Sequence, residues 1–93
     1  MPKCKKVITN EGLYGLCIKC LGCDDFHVLQ HNGKGRGWAW NGSLELPTFS
    51  PSLRVDYEGT ILCHSFIKDG RIQYLGDCTH ALKGQTIDLP EIE

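Results

Sequence analysis

Apolar and polar positions alternate in several short runs along this chain, which is the spacing of half-buried strands. The clearest run is Thr60 to Ile67. Ile61, Cys63, Ser65 and Ile67 fall on one face, and Leu62, His64 and Phe66 on the other. Lys68-Asp69-Gly70 predicts a hairpin turn with its glycine at positive φ. Arg71 to Leu75 then returns as the partner strand until Gly76-Asp77 breaks it. Phe26 to His31 is a second strand, with His27 and Leu29 on one face and Phe26, Val28 and Gln30 on the other; His31 is expected at its solvated end. Weaker extended segments are Val7-Ile8-Thr9, Leu13 to Ile18, Trp38 to Ser43, Arg54 to Tyr57 and Gln85 to Leu89. Asn10-Glu11-Gly12, Glu58-Gly59 and Pro90 end or separate them. Pro47 and Pro51, four residues apart, forbid a helix and predict an ordered, extended connector through Leu44 to Leu53. Asp77 to Lys83 is a loop or one helical turn, stopped by Gly84. The expected fold class is all-β: a small sheet or sandwich with at most one short helical turn.

Six cysteines change that picture. Cys17, Cys20 and Cys23 recur every third residue, with His27 four residues on. A C-x2-C turn aims two thiolates at one point, and a closed tetrahedral zinc site needs four ligands. Cys20-Leu21-Gly22-Cys23 is the favoured turn because Gly22 stands where positive φ would be wanted, whereas the alternative contains β-branched Ile18. Cys17 is then packing, and Cys4, remote from any knuckle spacing, a spare thiol. His27 is either a ligand or a structural histidine. The second half must supply the remaining ligands. Cys63 and His64 are strand neighbours and point to opposite faces, so only one faces the ion. The expected metal set is Cys20, Cys23, Cys63 and His80, with His64 or Cys78 as alternates for the fourth position; Cys3His and Cys4 are both ordinary structural zinc sets. The polar side chains left over, His64, Asp77 and His80, are the candidates for catalysis, since a His–Asp pair can orient a general base. Neither H-E-x-x-H nor a deaminase signature is present. Trp38 and Trp40 share a face, either as core packing or as an aromatic platform for a ligand. The glycines of Asn32 to Gly37 match no phosphate-loop pattern and predict a hairpin loop.

Ninety-three residues make a single domain, 1–93, in which residues 1–12 are expected as a loosely attached segment. A chain this short gains from a metal. No apolar run approaches the ~18 residues of a membrane span, and Met1 to Lys6 lacks the apolar core of a signal peptide. The expectation is a reducing, cytoplasmic setting, where clustered cysteines serve metals. The net charge of −1 divides into +3 for residues 1–40 and −4 for residues 41–93. The basic half is too sparse for a strong nucleic-acid footprint, which leaves nucleic-acid binding a minor alternative.

Taken together, Cys20-Leu21-Gly22-Cys23, Trp40-Asn41-Gly42-Ser43, Pro47-Thr48-Phe49-Ser50-Pro51-Ser52, Cys63-His64-Ser65-Phe66-Ile67 and Asp77-Cys78-Thr79-His80-Ala81-Leu82-Lys83-Gly84-Gln85-Thr86 resemble a family of small phage and prophage zinc-binding proteins of unknown function. Some of its members carry the label ammonia monooxygenase, which a short chain with no membrane span does not fit. The resemblance covers roughly residues 17–90. It implies a C-P-G-C knuckle in which Leu21 here replaces proline. It also implies that the position of Cys78 is often serine, which favours His80 or His64 as the ligand. Distant relatives lie beside bacterial ubiquitin-like conjugation genes, which points to a host or phage protein as partner. The expected function is a zinc-binding protein that acts by binding such a partner in the host cell, with a metal-dependent hydrolase using His64, Asp77 and His80 as the alternative.

Overall fold

The computed structural model describes residues 2–10, 13–31, 37–56, 58 and 62–92. The predicted turns at Glu11-Gly12, Asn32 to Arg36 and Gly59, and the strand positions Tyr57, Thr60 and Ile61, lie outside them. The fold is all-β, and no helix occurs among the described residues. No helix there is long and apolar enough to cross a membrane.

Among the described residues, eight strands form two antiparallel sheets. β1 (Lys5–Asn10), β2 (Leu13–Cys20) and β3 (Asp25–Gln30) make the first, in that order. β4 (Ala39–Trp40), β5 (Phe49–Asp56), β6 (Leu62–Lys68), β7 (Arg71–Tyr74) and β8 (Thr86–Asp88) make the second as a meander. Alternation sorts the side chains. Leu16, Ile18 and Cys20 of β2 and His27 and Leu29 of β3 turn inward, as do Leu53, Cys63, Ser65, Ile67, Ile72 and Tyr74 of the second sheet. Burying each large aliphatic side chain contributes about 1.5–3 kcal/mol. The apolar Phe26, Val28 and Phe66 fall on outer faces and stay exposed.

The N-terminal segment is tied to the fold. β1 pairs with β2, Lys3 and Cys4 both donate to the Leu44 carbonyl, and Ile92 donates to the Pro2 carbonyl. The β6–β7 turn is as predicted, with Asp69 and Gly70 both at positive φ (51° and 77°), the pairing a tight hairpin demands. The stretch Asp77 to Lys83 forms turns, without a helix.

The proline-rich stretch departs from expectation. It is no connector: β5 begins at Phe49 and runs through Pro51. Phe49 pairs with Ile67 and Leu53 with Ser65, so four steps along β5 oppose two along β6. Residues 50–52 therefore arch away from β6, while Ser50 stays paired with Ala39 of β4. Pro51 explains the arch, because it has no N–H to give to a neighbouring strand. The Ser50–Pro51 bond is cis.

Candidate functional site

The arch carries Ser52 over the outer face of the second sheet, onto which β6 projects His64. Ser52 Oγ lies 3.0 Å from His64 Nε2, and His64 Nδ1 lies 3.1 Å from Asp77 Oδ2. A carboxylate can only accept, so Nδ1 carries the proton and Nε2 is left to accept from the Ser52 hydroxyl. This is the order of groups that activates a serine: nucleophile, base, and a third residue that fixes the tautomer of the base. Asp77 sits on a strap, residues 75–79, bound to β6 at several points. Leu75 N–H donates to the His64 carbonyl at 2.9 Å, and Thr79 N–H to the Leu62 carbonyl at 2.9 Å. Cys78 Sγ accepts the His64 N–H at 3.2 Å and donates to the His64 carbonyl. Ser52 is held from the other side, where the Trp38 indole N–H donates to the Ser52 carbonyl at 3.3 Å. Trp40 likewise donates to the Ser43 carbonyl. Both indoles are half-buried and pack against the core. His31, expected in solvent, is half-buried; its Nδ1 lies 2.8 Å from the Trp38 carbonyl, and its ring meets Tyr14 and Trp40 edge-on.

A second cluster lies on the inner side of the same sheet. Cys20, Cys23, His27 and Cys63 bring one ligand atom each within 4.8 Å of one another and can hold a metal ion. Cys20 and Cys23 come from the turn joining β2 to β3, His27 from β3, and Cys63 from β6 across the core. Cys63, Cys78 and His80 form a second group that shares Cys63. In that group Cys78 is engaged with the His64 backbone. His80 Nδ1 accepts the Leu82 N–H, so its Nε2, 3.3 Å from Cys63 Sγ, carries a proton and donates. Gly22 is needed beside it, because a Cβ there would run into the His80 ring. That corrects the conformational argument for this glycine. The positive φ of the turn belongs to Asp24 (53°), not to Gly22. Cys4 and Cys17 join neither group, and the Cys4 thiol points to the Ser43 carbonyl.

Donor chemistry and spacing suit a soft divalent cation. Cys20 Sγ and Cys63 Sγ are 3.8 Å apart, about the edge of a tetrahedron with ~2.3 Å metal–sulfur bonds. His27 is 5% exposed, and its Nε2 has no hydrogen-bond partner among the described residues, a costly state for a buried polar atom unless something else binds it. The hydrogen bond from Cys63 holds the Cys20 thiol well below the usual cysteine range, helped by His27 and Tyr74 against the effect of burial. The same hydrogen bond, then burial, pushes Cys63 up. Burial, followed by the Cys20 charge, raises Cys23 to about 11. Tyr74 completes the site. Its hydroxyl donates to Cys20 at 3.3 Å and accepts the Gly22 N–H at 3.2 Å.

The sequence therefore points to His64 and Asp77 together but not to Ser52, which its proline pattern places in the connector. The signal available was Ser-Pro-Ser ahead of a strand that opens with Leu62-Cys63-His64. His80, grouped with them as a catalytic candidate, lies on the inner side against Cys63 and Tyr74. No curated protein and no solved structure matches the chain. Residues 3–75, well over half of the chain, match the family described as bacterial ubiquitination-like system serine protease (BubE), and the chain belongs to that family.

Proposed function

We propose that the protein is a serine hydrolase that cleaves an acyl bond in a polypeptide of a bacterial ubiquitination-like system. The observation that carries this is the hydrogen-bonded chain Ser52 Oγ–His64 Nε2, His64 Nδ1–Asp77 Oδ2. The family's description as a serine protease supports it. Ser52 Oγ attacks the substrate carbonyl as His64 Nε2 takes its proton. The tetrahedral adduct collapses to an ester on Ser52, and His64 passes the proton to the departing group. Water, deprotonated by His64, then attacks the ester, and the returning proton regenerates the Ser52 hydroxyl. Asp77 keeps Nδ1 protonated and stabilises the imidazolium that forms. The protein partner expected from the sequence becomes the substrate, met in the reducing cytoplasm where the six cysteines stay out of disulfides.

Zinc is the ion that best suits the inner cluster, held by Cys20, Cys23, Cys63 and His27, with His80 donating to Cys63 from outside. Four protein ligands leave no open position, so the ion would supply cross-linking rather than chemistry.

Labelling with a fluorophosphonate probe tests the hydrolase assignment. The expected result is one adduct per chain, located on Ser52 by peptide mass spectrometry and absent in Ser52→Ala. Failure of the folded wild-type protein to label, or equal labelling of Ser52→Ala, overturns it.

A further inference from the structure

The outer face of the second sheet holds more than the triad. On β6 the residue after His64 on the same face is Phe66, 45% exposed although it is a large aromatic. Phe66 pairs with Gln73 of β7, which pairs with Thr86 of β8, and Lys68 pairs with Arg71. Together with Thr48 and Phe49, these side chains line a groove of about 480 Å³. That is within the roughly 300–1,000 Å³ of ligand sites. Its position follows from the register. The groove begins at the Phe49–Ile67 pair, and the arch bearing Ser52 rises between that pair and the next, Leu53–Ser65. Ser52 is not itself among the lining residues but follows them along β5, opposite the Phe66 position of β6, and the charged β6–β7 turn borders the far end.

We propose that this groove is the substrate subsite of the hydrolase and that Phe66 sets its specificity. The occupant is an extended segment of the substrate polypeptide with a large apolar side chain against Phe66. The assignment rests on the Ser52 nucleophile proposed above. Two residues of strand separate His64 from Phe66, about 7 Å, so the recognised side chain belongs to a residue within about two positions of the cleaved bond. Gln73, exposed beside Phe66, offers an amide donor and an acceptor to the extended backbone of that segment. An apolar contact of this kind discriminates by about tenfold or more.

The experiment is cleavage of a quenched fluorescent peptide library, varied at the three positions on each side of the bond, by wild type and by Phe66→Ala. The rate of fluorophosphonate labelling of Ser52 is measured in parallel. Wild type is expected to prefer Leu, Phe or Met over Gly or Asp at one position by about tenfold or more. Phe66→Ala is expected to lose that preference, its kcat/KM for the apolar peptides falling toward that for the Gly peptide, with Ser52 still the residue labelled. An unchanged preference in Phe66→Ala, no apolar preference in wild type, or an equal fall for apolar and Gly peptides overturns the assignment. Absence of Ser52 labelling in wild type instead refutes the hydrolase reading, and the subsite with it.

Discussion

Asp77→Ala tests the triad at its most exposed member. In a fully buried triad, spoiling the orienting carboxylate costs roughly 10⁴ in kcat. Here the Asp77 side chain is 50% exposed and that of His64 24%, so water shares the charge that the carboxylate offers to the imidazolium. With charge centres about 4 Å apart, the attraction is ~4 kcal/mol at an effective dielectric of 20 and ~1 kcal/mol in bulk water. A half-exposed pair lies between these, at about 2–3 kcal/mol. At 1.36 kcal/mol per factor of ten, the expected loss is roughly 30- to 160-fold. The assay is the second-order rate of fluorophosphonate labelling at one pH, with far-UV circular dichroism and zinc content as controls for folding. Labelling within threefold of wild type would remove Asp77 from the mechanism. A loss above about 10⁴ with fold and metal intact would refute the screening argument, because it would mean the pair behaves as buried.

Three further outcomes concern the metal cluster. Tyr74→Phe removes the hydroxyl that bridges Cys20 and the Gly22 N–H, and it should lower zinc affinity by about 10- to 100-fold in a chelator competition; unchanged affinity would show the bridge to be dispensable. Gly22→Ala forces a methyl into the His80 ring and should lower the thermal midpoint by at least several degrees, as about 1–3 kcal/mol of overpacking does in a small domain. Zinc binding followed by calorimetry in buffers of different ionisation enthalpy should release about two protons per ion at pH 7. Cys23 and Cys63, raised above their ordinary values, start as thiols and must lose their protons, whereas Cys20, lowered, is already a thiolate. Release of none or of three would contradict that assignment.

Much of the fold could be read from local pattern. The faces of β6, the Asp69-Gly70 turn and the inward pair His27 and Leu29 all follow from two-residue alternation, which burial enforces over short distances. Cys20 and Cys23, the thiols expected of the turn, stand in the group that could hold an ion and Cys17 does not, while Gly22 between them is there for a tertiary reason. Gly22 is small because His80 arrives against it from about 60 residues away, and no local rule predicts that. Ser52 was hidden for a related reason. Proline vetoes a regular ladder, so Ser-Pro-Ser looked like a break, whereas the strand tolerates it by arching, and the arch is what lifts the serine toward His64. His64 and Asp77 could be paired as chemistry, but their third partner depended on a strand register that spacing alone does not reveal.

The opposite orientation of Cys63 and His64 has a consequence for how the protein matures. Because neighbours on a strand swap faces, a slip of β6 by one residue would turn His64 into the core and Cys63 into solvent. Such a chain would take Cys63 out of the inner cluster and His64 away from Ser52 in one step. Folding to the native register therefore assembles the inner cluster and the outer Ser52–His64–Asp77 chain together, and neither can form without the other.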